Sequence, residues 1–375
     1  MAPTRSRLLL GMFLVLAPKS ALHYAAVDAS VDAAAADEAL AAASEALESG
    51  DAEGALRILE PLLADPAFPS LDAGRQARIP FLLGHAAEAS GDPESAAGAF
   101  QMALAAARGS AEKGLEEDAL LGAARAALEM KDARAALAAL ERLGPPALDR
   151  PHAAGLRGSA FLLDGDTRRA ERAFEQSLRG GPSAEALLQL GIIRFDRGEH
   201  EAALERFDEA VRLGPPNYYL HVYRARSLLE LDRSADAVKV LGPLAESTGS
   251  PESHYLLGKA WSRLGRFEEA AASFRKAMER NPAYAEACLG LGTALRRLGR
   301  KEEAGEALKR FEALHEEEAS RLRKLNTLSQ ALLRSPWDPG TAEALARVSL
   351  ESGDLEAAER HAWQALRGDF TGGDA

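Results

Sequence analysis

Cysteine is nearly missing from this chain of 375 residues: Cys288 is the only one. That excludes an internal disulfide, a CxxC metal knuckle, a CxxCH haem attachment and an iron–sulfur cluster held by this chain alone. Positive charge is in deficit, with 45 Lys and Arg against 57 Asp and Glu and a formal charge of -12. A general nucleic-acid binder is thereby disfavoured, because phosphate binding draws most of its affinity from clustered cations. Any basic site must be local. The chain carries no phosphate-cradling GxxxxGK[ST], no nucleophile elbow and no HExxH, so none of the common catalytic frameworks is in place. Aromatics are sparse at 6%, whereas 47% of residues are hydrophobic, Ala and Leu above all, and 27% are charged, with Glu and Arg in excess. This is the composition of a water-soluble helical array.

Long apolar runs are also scarce. The run from Leu8 to Ala17 follows Arg5 and Arg7, which is the charge, order and length of a secretory signal. Residues 1–29 are therefore expected to be a signal peptide or a short N-terminal anchor, and the chain to be exported. The run is short for a bilayer span, and no clean A-x-A-like cleavage site follows it.

What the chain has in abundance is self-similarity. In the stretch from Pro251 to Tyr284, Leu257, Gly258 and Trp261 share one helical face, and Ala270, Phe274 and Ala277 share another. The spacing predicts a helix over 252–264 and a second over 267–280. Ser250, Pro251 and Glu252 supply a capping hydroxyl, a first-turn proline and a first-turn acid. Gly265 closes the first helix, and Asn281-Pro282 ends the second. The same scheme returns as Gly158, Phe161, Gly165, Ala170, Phe174 and Pro182; as Leu190, Gly191, Gly198, Ala203, Phe207, Ala210 and Pro215; and as Leu291, Gly292, Leu295, Gly299 and Ala304. Weaker copies stay in register at Gly50, Ala55 and Leu59; at Gly84, Gly91, Ala96, Phe100 and Ala103; at Ala124, Ala127, Ala136 and Leu140; and at Leu345, Ala346, Gly353, Ala358 and Ala365. Lys131 and Asp232 stand where two units would carry the closing glycine. The period is about 34 residues, the length at which a helical hairpin cannot bury its own apolar face and must stack on a neighbour.

This pattern resembles the tetratricopeptide repeat family. The resemblance implies an all-α fold, a right-handed superhelical solenoid of antiparallel helix pairs with about nine units. Units over 36–150 are degenerate and those over 151–318 well matched; residues 319–338 are expected to form an extended helix and a Pro-rich break, and 339–372 a C-terminal unit. Between Lys301 and Arg334 the helical pattern runs without a stop, which means a longer helix or a divergent hairpin before Pro336-Trp337-Asp338-Pro339. Asp65 to Gly74, with Pro66 and Pro69, reads as a longer loop or bend within the array.

Structural readings account for most of the chemically suggestive residues. Gly290-Leu291-Gly292 lacks a third glycine and a preceding strand, and it sits where the repeat needs small residues. His254, His221, His200 and His361 fall in different helices without metal-pair spacing, and most of the histidines are expected at the surface or rim. Cys288 reads as a core thiol. Glu316-Glu317-Glu318 reads as a solvated face.

In the family the first helix of each pair lines a concave groove, which implies a partner-binding stripe at Tyr219, Arg226, Tyr255, Lys259, Arg263, Arg296 and Arg297 or at its rim. Arg pairs with carboxylates in a forked geometry, and Tyr offers flat apolar area with a polar tip, so an acidic or amphipathic protein segment is the expected ligand. The Lys/Asn clamp with which some members hold a partner's C-terminal carboxylate is not matched, since Tyr223, Leu256 and Gly290 stand at the Asn positions. The resemblance, with the Arg-rich and Ala-rich composition, implies a non-enzymatic scaffold of a bacterial cell envelope or periplasm. It needs no cofactor or metal. The alternative is an accessory docking subunit of an envelope enzyme or a secretion assembly.

Overall fold

The computed structural model describes residues 32–108, 113–214, 217–336 and 338–371. The expected signal segment over 1–29, Pro215 and Trp337 lie outside the described residues. Among the described residues the chain is all-α, with eighteen helices and no strand. It divides into two compact units, with the boundary in the chain between Gly181 and Pro182.

The first unit holds four helix pairs: α1 (Ala33–Glu48) with α2 (Ala52–Ala64), α3 (Ala73–Ala89) with α4 (Pro93–Ala107), α5 (Lys113–Glu129) with α6 (Ala133–Glu141), and α7 (Pro151–Leu163) with α8 (Thr167–Arg179). The second holds five: α9 (Ala184–Asp196) with α10 (His200–Leu213), α11 (Tyr218–Glu230) with α12 (Ser234–Thr248), α13 (Pro251–Arg263) with α14 (Phe267–Arg280), α15 (Ala285–Arg297) with α16 (Lys301–Arg334), and α17 (Pro339–Glu351) with α18 (Leu355–Thr371). Nine pairs match the count read from the repeat. The expected loop between Asp65 and Gly74 contains a short 3₁₀ turn at Phe68–Ser70.

Turn chemistry explains why each pair folds back. Gly265 closes α13 at a φ of 73°, in the left-handed region where a side chain is disfavoured. Lys131 and Asp232 adopt the same conformation without being glycine, at φ of 58° and 56°. The second helix then starts in one of two ways. In the first unit Asp51, Asp92, Asp132 and Asp166 accept the backbone N–H three residues on, at Gly54, Ser95, Ala135 and Arg169. In the second unit Arg233, Arg266 and Arg300 occupy that place without a side-chain cap, and each pairs with the acid three residues on, Asp236, Glu269 and Glu303; Glu199 makes no cap either, while Asp354 caps the last pair by accepting from the Ala357 amide. One expected cap is absent: Ser250 makes no cap bond, because its hydroxyl lies 2.7 Å from the Tyr218 hydroxyl of the preceding pair.

The core is a row of rings set against glycines. Phe100, Phe174, Phe207 and Phe274 are among the largest fully buried side chains. A Cβ at Gly258 would stand 2.7 Å from the Phe274 ring, and one at Gly290 in the next first helix would stand 2.6 Å from it. The ring is thus wedged between two pairs, and Gly290 is required by packing. Within each unit successive first helices also touch one another, whereas successive second helices have at most marginal contact, so first helices form the inner layer. That sequence of contacts stops at α15. The 34-residue α16 continues past its partner and carries α17 and α18 on its last turns, through Leu325, Leu328 and Leu332 against Ala342 and Leu345.

Candidate partner-binding face

First helices are covered on two sides by second helices, which leaves each a narrow free edge. On α13 the buried residues are Ser253, His254, Leu256, Gly258 and Ala260, while Glu252, Tyr255 and Lys259, spaced three and four apart, remain on one partly open strip. The corresponding edge of α11 carries Tyr219 and Arg226, and that of α15 carries Leu289, Arg296 and Arg297. Tyr219 is 64% exposed and meets Tyr218 edge-on at 5.5 Å. Tyr218 donates to Glu252 Oε2 at 3.2 Å, which ties α11 to α13 beneath the strip. Tyr255 packs between Phe274 and Tyr284, with centroids 5.9 and 5.1 Å away, and Lys259 Nζ stands 5.8 Å from its ring. Burial pushes the hydroxyl pKa values of Tyr255 and Tyr284 up, so both stay protonated.

The seven expected residues therefore share one layer of the second unit but do not offer equal charge. Arg226 is 3.7 Å from Glu252, with its guanidinium 5.6 Å from the Tyr223 ring. Arg263 reaches back to the end of α11, donates to the Leu229 carbonyl, and lies 3.5 Å from Asp232 and 3.8 Å from Glu230. It closes the junction between two pairs, so its charge is neutralised where it stands. Lys259, Arg296 and Arg297 make no ion pair among the described residues; Arg297 sits 6.0 Å from the Phe267 ring. Three members of the strip escape the sequence reading: Tyr218, Glu252 and Leu289. Leu289 falls 34 residues after Tyr255 and is 41% exposed, so the repeat register itself was the signal for it.

The first unit has a depression of about 770 Å³ on its own inner layer, lined by Asp37 and Leu40 of α1, Arg75 and Phe81 of α3, and Leu115 of α5. Arg75 holds Asp37 through bonds of 2.9 and 2.6 Å and also binds Asp72. These bonds hold the Asp37 carboxyl below its usual range. Deeper along the same helices, Arg125 of α5 donates to Glu88 of α3 at 2.5 and 2.9 Å, and His85 Nδ1 is 3.3 Å from Glu88. Burial works against the charged form of Glu88, but those two partners outweigh it and bring its pKa down to about 2. This polar row was invisible in the sequence because Asp37 and Arg75 are 38 residues apart, in units too degenerate to align by their signature residues.

His254 is buried, at 6% exposure, an exception to the surface or rim position expected of most histidines. Its place at the fourth residue of α13 faces the core, where burial pushes its pKa down. His221 is half-buried and shifted the same way for the same reason. Cys288 is fully buried, and burial pushes its thiol pKa up, as a core thiol requires.

Stacked helix pairs with an inner layer of partly open edges define a class of protein-interaction scaffold, a fold that is generally not catalytic. A family model described as tetratricopeptide repeat matches residues 40–111, 156–218, 224–285 and 255–319, and a second of the same description matches 339–362. The first alone spans more than half of the chain, which belongs to the tetratricopeptide repeat family. Among curated proteins, the human protein O-mannosyl-transferase TMTC1 is 27% identical over 126 residues, covering 33% of this chain and 14% of its own. The STIP1 homolog of Dictyostelium discoideum is 33% identical over 93 residues, covering 24% and 16%. The chain thus spans 14% of the first relative and 16% of the second. Among solved structures, MamA from Desulfovibrio magneticus RS-1 is 22% identical with a TM-score of 0.41, over 43% of this chain and 92% of that one. YrrB, described as a TPR protein with an unusual peptide-binding site, is 20% identical with a TM-score of 0.43, over 48% and 93%.

Proposed function

We propose that this protein is a non-enzymatic scaffold that holds an acidic or amphipathic protein segment along the first-helix strip of its second unit, in a bacterial cell envelope or periplasm. The observation that carries this reading is the combination on α11, α13 and α15 of open aromatic and aliphatic surface, at Tyr219 and Leu289, with three cations that form no ion pair among the described residues, at Lys259, Arg296 and Arg297. A ligand carboxylate gains a charge-assisted bond there without displacing an existing pair. Glu252 on the same strip favours an amphipathic ligand over a purely acidic one. Export is supported by Arg5 and Arg7 ahead of the Leu8–Ala17 run.

The test is charge reversal at Lys259, Arg296 and Arg297 together, away from the buried core and from the Arg263 junction. Capture of the partner from the exported compartment should fall at least ten-fold while helicity by circular dichroism stays at the native level. Unchanged capture by the folded variant contradicts the reading.

A further inference from the structure

The first-helix strip of the second unit is not uniform across its width. Helices α11, α13 and α15 each have 13 residues, so their positions can be matched from the first turn to the last. α11 and α13 stand side by side in that register: Tyr218 donates to Glu252 at one end, and Arg263 lies 3.8 Å from Glu230 at the other. Along α13 and α15 the open side chains then fall into three rows. The second position holds an acid in both helices, Glu252 and Glu286. The fifth holds an aromatic or apolar side chain, Tyr255 and Leu289. Beyond it stand the cations, Lys259 at the ninth position of α13, and Arg296 and Arg297 at the last two of α15.

Both outer rows carry charge that the chain leaves open. Glu286 is exposed and, like the three cations, makes no ion pair among the described residues; Glu252 has Arg226 3.7 Å away. The acidic row borders the middle one, since Glu286 is near enough to Tyr255 to act on its hydroxyl. Seven residues of helix separate Glu252 from Lys259, about 10 Å, and eleven separate Glu286 from Arg297, about 16 Å. An α-helix with its side chains is about 10–12 Å across. It fits between the outer rows and rests on the middle one.

Three rows need a ligand with three faces. An extended strand has two, so one laid flat over the strip sends its alternating side chains to the outer rows and leaves Tyr255 and Leu289 facing backbone. A helix offers an apolar stripe with a flank on each side. We infer that the partner segment is an amphipathic helix lying across α13 and α15, with Lys or Arg on the flank over Glu252 and Glu286 and with Asp or Glu on the flank over Lys259, Arg296 and Arg297. This rests on the strip being the partner site, and it adds the conformation and charge layout of the occupant. With first helices about 8–10 Å apart, spanning two of them takes about four turns.

Fluorescence anisotropy of the full chain with two designed peptides tests this. Both have about 18 residues, enough for those turns, with one composition, one Leu stripe and a staple that sets equal helicity. One carries all its Lys on one flank and all its Glu on the other; the second has them mixed on both. The separated peptide should bind at least ten-fold more tightly, and rising salt should narrow the gap. E286K and R296E/R297E, each with native helicity, should each weaken the separated peptide at least three-fold and leave the mixed one nearly unchanged. Equal affinity for the two peptides, no affinity for either, or an E286K variant that binds as the wild type does overturns the helix. The strip itself then stands if charge reversal at Lys259, Arg296 and Arg297 still lowers capture from the exported compartment, and falls with the helix if it does not.

Discussion

At the scale of single residues, close approach decides more than hydrophobicity. Gly258 and Gly98 are both glycines inside helices, yet only Gly258 faces a ring: a Cβ there would stand 2.7 Å from Phe274, while nothing lies within 4 Å of one at Gly98. Gly258→Ala should therefore cost about 1–3 kcal/mol by overpacking. Gly98→Ala should stabilise by up to about 1 kcal/mol, because alanine loses less backbone entropy in a helix. Thermal unfolding of the two variants should move in opposite directions; a loss of equal size at both sites contradicts the packing account. Glu88 gives a second test. Its pKa is depressed in the folded chain, so its stabilising contribution is present above its ordinary value of 4.5 and fades as pH falls toward about 2. Glu88→Gln should cost on the order of 2 kcal/mol at neutral pH, after allowance for solvent screening. That difference from wild type should shrink steadily between pH 5 and 2; a pH-independent gap would show that the charge on Glu88 contributes nothing.

At the scale of helices, second helices that start at a capping Asp and junctions held by an Arg should respond differently. Asp92 caps α4 by accepting from the Ser95 amide at 3.0 Å, and Asp92→Ala should lower stability by about 1 kcal/mol. Arg263→Ala should instead loosen one junction. It removes the side-chain donor at the Leu229 carbonyl, which also accepts from the Asp232 amide, so hydrogen exchange should quicken at the α11 end, in amides 231–233, ahead of any change in α4. Equal protection throughout would show that Arg263 belongs to the open strip alone. These elements also mark where sequence reasoning reaches and where it stops. Paired helices, closing glycines and the Gly–Phe contacts were legible because each recurs at one period and needs one kind of residue. Lys131 and Asp232 kept the phase although neither is glycine, since the neighbouring repeats impose the left-handed turn. Arg263 read as a groove residue because its register is a groove register; that its guanidinium turns toward a carbonyl 34 residues back depends on a side-chain rotamer, which no period encodes. Ser250 misled for the same reason, its hydroxyl being claimed by Tyr218 across the repeat. His254 sits at a core position that its polarity disguised.

At the scale of the whole molecule, each compact unit is an array in which a pair contacts only its neighbours. Stability is then shared locally, and recognition is left to the edges that the stacking does not cover. In the second unit those edges are the first-helix strip and the uncovered middle of α16. The first is the strip proposed to hold a partner segment.

Site-resolved photo-crosslinking in the expressing cell tests the central claim most directly, with the reactive residue placed in turn at Tyr219, Lys259 and Arg296 on first helices and at Lys276 on a second helix. The account predicts that one partner protein is captured from all three first-helix positions and not from Lys276. Capture from Lys276 with none from the first-helix positions would contradict it.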